Sequence, residues 1–191
     1  MAIERIAVLG AGQMGNGITQ VAAAAGYHVI MIDIEQEYVD KGLATIQRSL
    51  AKLVSKERMS QEDADATLAR ISLATDRSVC ADCDLVVEAV PEILDLKTSI
   101  FAELDGICKP ETILASNTSS ISISTIADAT NRPDRVIGMH FMNPVPIMKL
   151  VEVINGDKTS TETNAAVIEA SAKMGKTALS CNDSPGFISN R

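Results

Sequence analysis

Short apolar runs alternate with amphipathic stretches along most of the chain. This is the pattern of an α/β protein with a doubly wound, mostly parallel sheet, whose strands are buried on both faces and joined by helices. The runs predict strands over residues 3–9, 27–32, 71–74, 85–89, 113–116, 136–140, 150–154 and 177–180. Helical spacing of apolar residues predicts helices over 16–25, 95–107, 122–129 and 160–174. Between the second and third strands, residues 34–70 exceed what a crossover needs and read as two helices broken near 58–60, a helical-hairpin insertion. Ser60 followed by Asp63 has the form of an N-cap with an acid in the first turn of the second helix. On the first helix, Ile46, Leu50, Leu53 and Val54 form an apolar stripe, while Ser49, Lys52 and Lys56 share another face. That second face is either an ordinary solvated surface or the place where an anionic ligand sits.

The first strand runs into Gly10-Ala11-Gly12-Gln13-Met14-Gly15 and then a helix, which is GxGxxG in the context its physics requires. Gly10 permits the tight turn, Gly12 lets the backbone approach a pyrophosphate, and Gly15 lets helix and strand pack closely. Gln13 and Met14 stand at the helix N-terminus, which offers free N–H groups and a positive dipole. The second strand ends in Asp33, about 20 residues on, where an acid binds the adenosine ribose hydroxyls. Its charge repels a 2′-phosphate and the next residue, Ile34, is no arginine, so the expected cofactor is NAD rather than NADP. The fold expected is therefore a Rossmann-type doubly wound sheet.

His140 closes the apolar run Val136-Ile137-Gly138-Met139 and opens a proline-braced turn that begins Phe141-Met142-Asn143-Pro144. The next strand interrupts its apolar residues with one carboxylate, Glu152. A buried glutamate needs a partner, and His140 is the nearest imidazole in sequence. The pair reads as a proton-transfer unit in which Glu152 fixes the tautomer and stabilises the imidazolium. The plainer alternative is a structural histidine and an edge-strand glutamate. Ser116-Asn117-Thr118-Ser119-Ser120 follows the fifth strand at the carboxyl edge of the sheet, where its hydroxyls either line a ligand site or cap the next helix. A serine nucleophile is not expected, because no GxSxG elbow is present and His28 is expected to begin a strand at the cofactor end. Glu88, Glu92 and Lys97 cluster after the fourth strand, either facing the cofactor or serving as caps and surface pairs.

Composition narrows the function. At 191 residues the chain holds one proper core, and a net charge of -8 with no Trp argues against a nucleic-acid partner. No apolar run approaches membrane-spanning length, and the first strand begins too near Met1 for a signal peptide, so a cytoplasmic protein is expected. Cys80 and Cys83 form a CxxC, but no second CxxC or HxxxH pair accompanies it, and neither a metal nor a redox role is expected. Cys108 and Cys181 read as small buried or half-buried side chains.

GAGQMG, VVEAVPE, ASNTSS, HFMNPVPIMKLVEV and SPGFISNR, in this order and over essentially the whole chain, resemble the NAD-binding domain of the 3-hydroxyacyl-CoA dehydrogenases, and within them the short-chain 3-hydroxybutyryl-CoA type. The resemblance implies that His140 is the catalytic base or acid with Glu152 its orienting partner. It further implies that Ser119 and Asn190 hydrogen-bond the reacting substrate oxygen, that Asn143 lines the nicotinamide pocket and that Glu92 and Lys97 contact the cofactor. Ser49 and Lys56 would touch coenzyme A, which makes the substrate partner an acyl-CoA thioester. Residues 1–183 would form the NAD-binding domain, and 184–191 the linker or start of a C-terminal helical domain through which the full-length enzyme forms a homodimer. Asn190 stands one residue from Arg191 and is expected to fray. Two other readings stay open, a non-catalytic dinucleotide-binding module and a dehydrogenase for a small hydroxy acid without coenzyme A.

Overall fold

In the computed structural model, which describes residues 2–184 and 187, eight strands form one sheet. They are β1 (Arg5–Leu9), β2 (His28–Ile32), β3 (Ile71–Ala74), β4 (Leu85–Glu88), β5 (Ile113–Ser116), β6 (Val136–Phe141), β7 (Leu150–Asn155) and β8 (Thr177–Asn182), in the order β3-β2-β1-β4-β5-β6-β7-β8. The first six pair in parallel, β7 runs antiparallel to β6, and β8 is parallel to β7. The strand order reverses between β1 and β4, so the chain leaves their carboxyl ends in opposite directions and opens a crevice there, the position at which such sheets bind ligands.

The helices are α1 (Gln13–Ala24), α2 (Gln36–Ser55), α3 (Gln61–Ala69), α4 (Leu94–Ile107), α5 (Ile123–Ala127) and α6 (Thr161–Lys173). Ile18 and Ala22 of α1 and Val167 and Ala170 of α6 pack on Ile6, Val8, Val87 and Met139 across one face of the sheet. On the other face, Ile100, Phe101 and Leu104 of α4 and Ile123 and Ile126 of α5 pack on Ala7, Val86 and Leu114. Every residue of β4 and β5 is buried, and this two-sided cover is why those runs are apolar without alternation. The α2–α3 hairpin has its own small core, in which Val39, Ile46, Leu50 and Ala64 close on Met31 and Ala11. Ser60 Oγ accepts from the Asp63 amide at 3.0 Å, so the cap pattern seen in the sequence is formed.

Most predicted boundaries shift by one or two residues. The largest shift is at α1, which begins at Gln13 because the glycine turn itself supplies the first helical turn. A second correction concerns His28. It pairs with Arg5 at the amino ends of β2 and β1, on the edge opposite the crevice rather than at the cofactor end. Periodicity also gave no sign of the short 3-10 turns Arg77–Asp82 and Pro133–Arg135. The first turn carries Cys80 and is capped by Cys83, both fully buried, and burial pushes the Cys83 thiol up to about 11 and raises that of Cys80. All four cysteines are free, and among the described residues no cluster of three or more His, Cys, Asp or Glu is placed to hold a metal ion. No described helix is long and apolar enough to cross a membrane.

Candidate active site

The three glycines of the first turn have different work. Gly10 sits at φ +98°, and a Cβ there would lie 2.5 Å from the Ala89 carbonyl oxygen; at Gly15 it would lie 1.6 Å from the Gly10 oxygen. Both are demanded by the fold. A Cβ at Gly12 would meet nothing within 4 Å, so this glycine faces open space at the N-terminus of α1. That helix end has neither a side-chain cap nor an acid in its first turn, and its amides and dipole remain available to an anion. Gln13 is exposed there and Met14 half-buried. Asp33 is oriented by two amides, with Oδ2 accepting from Ala11 at 2.7 Å and Oδ1 from Ile34 at 2.8 Å. Its carboxylate walls a cleft of about 480 Å³ with Gly10, Ile34 and Val90. Arg77, which is ion-paired to Glu103, also lines this cleft, a long-range contact that no sequence pattern announced. Open space at Gly12, an uncapped helix end and a carboxylate on the adjoining cleft fit a dinucleotide, with its pyrophosphate at Gly12 and a ribose at Asp33.

Glu88 ends β4 and is fully buried, as is Lys97 from α4 at 1 % exposure. Lys97 Nζ lies 2.6 Å from Glu88, donates to the Val90 carbonyl at 3.2 Å and stands 3.4 Å from Glu92. Glu88 also accepts from the Ser116 hydroxyl and the Val90 amide, both at 2.7 Å. The cluster is thus an interior network, not a surface pair, and Glu92 rather than Lys97 is the member that solvent reaches. Glu92 in turn accepts from Thr118 Oγ1, from the Ser119 amide at 2.9 Å and from the Ser120 amide and hydroxyl at 3.1 Å. Burial would raise its pKa, but these donors and the Lys97 ammonium outweigh that effect and hold it below the ordinary carboxylate value. Glu92 therefore shapes the loop that presents the exposed Ser119. Asn117, a residue the sequence did not single out by role, accepts from the Phe141 amide at 2.8 Å and straps this loop to the end of β6.

The antiparallel register sets His140 directly opposite Glu152. Their side chains share one face, and Nδ1 lies 2.7 Å from a Glu152 oxygen. Glu152 is fully buried in a strand flanked by β6 and β8, not an edge. A carboxylate on Nδ1 keeps the proton there and leaves Nε2 as the basic nitrogen. The imidazole lies near the Phe187 ring, with centroids 6.1 Å apart and the planes tilted by 59°. Asn143 is exposed two residues past the strand, before a cis peptide to Pro144. The glycine turn, Asp33, Glu92, Ser119 and His140 thus follow the carboxyl ends of β1, β2, β4 and β5 or close β6, all on one edge of the sheet. Ser49 is half-buried on α2 and Lys56 is exposed as its C-cap. A groove lined by Gly12, Gln13, Lys41 and Thr45 begins at the glycine turn, and helical spacing continues its α2 side through Ser49 toward Lys52 and Lys56. Asn190 lies outside the described residues.

Residues 5–184 match the sequence profile described as 3-hydroxyacyl-CoA dehydrogenase, NAD binding domain. The chain belongs to this family, and its cofactor is NAD. It is 54% identical over 187 residues to the probable 3-hydroxybutyryl-CoA dehydrogenase of Deinococcus radiodurans, covering 98% of this chain and 67% of that protein. It is 51% identical over 191 residues to the probable 3-hydroxybutyryl-CoA dehydrogenase of Bacillus subtilis, covering 100% and 67%. Among solved structures, (S)-3-hydroxybutyryl-CoA dehydrogenase from Ralstonia eutropha superposes with a TM-score of 0.96 at 46% identity, over 98% of this chain and 66% of that one. The chain therefore spans about two thirds of the length of these relatives.

Proposed function

We propose that the chain carries the NAD-dependent oxidoreductase site of a 3-hydroxyacyl-CoA dehydrogenase, which interconverts (S)-3-hydroxyacyl-CoA and 3-oxoacyl-CoA of short acyl chain. The observation that carries this reading is the His140–Glu152 pair at 2.7 Å, in which a fully buried carboxylate orients an imidazole at the same sheet edge as the glycine turn. In the oxidative direction His140 Nε2 takes the proton of the 3-hydroxyl, and Glu152 stabilises the imidazolium. When bound, NAD supplies the hydride acceptor at its nicotinamide. Ser119 and Asn190 hydrogen-bond the reacting oxygen, Asn143 lines the nicotinamide pocket, and Glu92, supported by Lys97, faces the cofactor while holding the Ser119 loop. Ser49 and Lys56 contact coenzyme A, reached along the groove that leaves Gly12. Positioned general acid–base groups of this kind supply about 10²- to 10⁴-fold in rate, and fixing the two reacting carbons in contact supplies much of the rest.

The same reading makes residues 1–183 the cofactor-binding domain and 184–191 the link to a helical domain. The full-length enzyme would be a cytoplasmic homodimer. The test is NADH oxidation by the purified chain with acetoacetyl-CoA, beside a fluorescence titration of NADH binding. Turnover is the expected result. Binding without turnover would leave an incomplete enzyme or a cofactor-binding module, which restoring a family-like helical domain after Arg191 would separate, and no binding of NADH would remove the reading.

A further inference from the structure

The turn after His140 is held from two sides. The Pro144 carbonyl accepts from the amides of Ile147 at 3.0 Å and Met148 at 2.9 Å, which closes the turn. On one side stands Gly17 of α1, where a Cβ would lie 2.8 Å from Val145 Cβ and 3.5 Å from Pro146 Cδ. The cofactor helix and the turn therefore touch only because that position has no side chain. On the other side stands Lys176, delivered by Gly175 at φ +74° where the chain leaves α6. Its ammonium donates to the Val145 carbonyl and to the Met148 carbonyl at 2.8 Å. No carboxylate among the described residues pairs with it. Burial alone acts on this ammonium, and it lowers the pKa. A lysine left in water keeps its hydration and its rotamers, whereas this one is half-buried and fixed on two backbone oxygens of a single turn.

We propose that Lys176 and Gly17 are positioning residues, a two-sided brace that fixes the 143–148 turn against the cofactor helix and thereby sets the seat of the cofactor's nicotinamide end. The second half of this statement rests on the functional reading above, which puts Asn143 at the nicotinamide. Lys176 reaches no reacting atom and acts through the turn. The turn lies directly between His140 and β7, so its placement also governs the approach to the histidine.

Three variants test the brace: Lys176→Met, which keeps the stem and removes the donor; Lys176→Arg, which restores one; and Gly17→Ala, which pushes on Val145 from the other side. Alanine is the better helix former, so a loss in Gly17→Ala does not come from α1 itself. Amide hydrogen exchange is followed across the chain, and affinities are measured for NADH and for ADP-ribose, which lacks the nicotinamide. The expected result is exchange about tenfold faster or more at the Ile147 and Met148 amides in Lys176→Met and Gly17→Ala. Exchange in β1 and β4 should not change. NADH should bind several-fold more weakly with ADP-ribose unaffected, and Lys176→Arg should recover both readouts. Unchanged exchange in the turn, equal weakening of NADH and ADP-ribose, or no recovery with arginine would each overturn the proposal. A wild-type chain that binds no NADH would count against the functional reading, while the exchange readout still decides the brace.

Discussion

Two buried acid–base pairs stand at the same edge of the sheet, and their surroundings differ in one respect. Glu88 and Lys97 are closed on every side: the carboxylate takes the ammonium, the Ser116 hydroxyl and the Val90 amide, and neither side chain is more than 1 % exposed. His140 and Glu152 are joined just as tightly, at 2.7 Å, and Glu152 is as deeply buried, but the imidazole keeps about 10% of its surface open. A fully enclosed pair is a bracket that holds β4, β5 and α4 together, because nothing can reach it to exchange a proton. A pair whose imidazole is partly open to solvent can act on a ligand. The two pairs thus divide between them what the fold needs and what the reaction needs.

His140→Gln gives the largest effect expected. It should reduce NADH-linked turnover by about 10²- to 10⁴-fold with NADH affinity and thermal midpoint close to wild type, because glutamine still meets Glu152. Unchanged turnover would take His140 out of the mechanism. Lys97→Met should do the reverse, since it strands a buried carboxylate at a cost of about 3–5 kcal/mol. For a domain of this size that lowers the melting temperature by on the order of 10 °C. Adding Glu88→Gln should recover part of the loss, because the stranded charge is then gone. A thermal midpoint for Lys97→Met equal to wild type would break the distinction between the two pairs.

The difference between these pairs also marks how far the sequence can be read. His140 and Glu152 are legible because each is a polar residue set in an apolar strand, and the short strand–turn–strand connection brings them opposite one another. The glycine turn and Asp33 are legible for the same local reason. Lys97 is not, because a lysine in the first turn of an amphipathic helix has the same pattern whether it points to water or inward. Asn117 on the Phe141 amide, Arg77 on Glu103 and Lys176 on the 143–148 turn join segments more than 20 residues apart and leave no periodic trace. His28 illustrates a different loss. Its strand is evident from the apolar run, but only strand polarity across a parallel sheet puts its first residue on the edge away from the crevice.

Glu152→Gln sharpens the comparison by removing charge without removing the partner. Loss of a charge-assisted hydrogen bond of about 1.5–3 kcal/mol predicts a turnover lower by about ten- to a hundredfold at unchanged cofactor affinity. A wild-type rate would reduce Glu152 to a strand residue. The smallest effect belongs to Glu92, which lies between the two cases, linked to Lys97 on one side and 38% exposed on the other. Its pKa in the folded chain is held below the ordinary 4.5. Its contribution to stability is therefore present above the unfolded value and is lost as pH falls through the lower, folded value. Solvent screens so exposed a group, so less than about 1 kcal/mol is expected. The thermal midpoint of Glu92→Gln should accordingly lie slightly below wild type near neutrality and converge with it in acid. A gap between the two that is constant with pH would show that Glu92 holds the Ser119 loop by shape and hydrogen bonding alone, and its charge would then belong with neither pair.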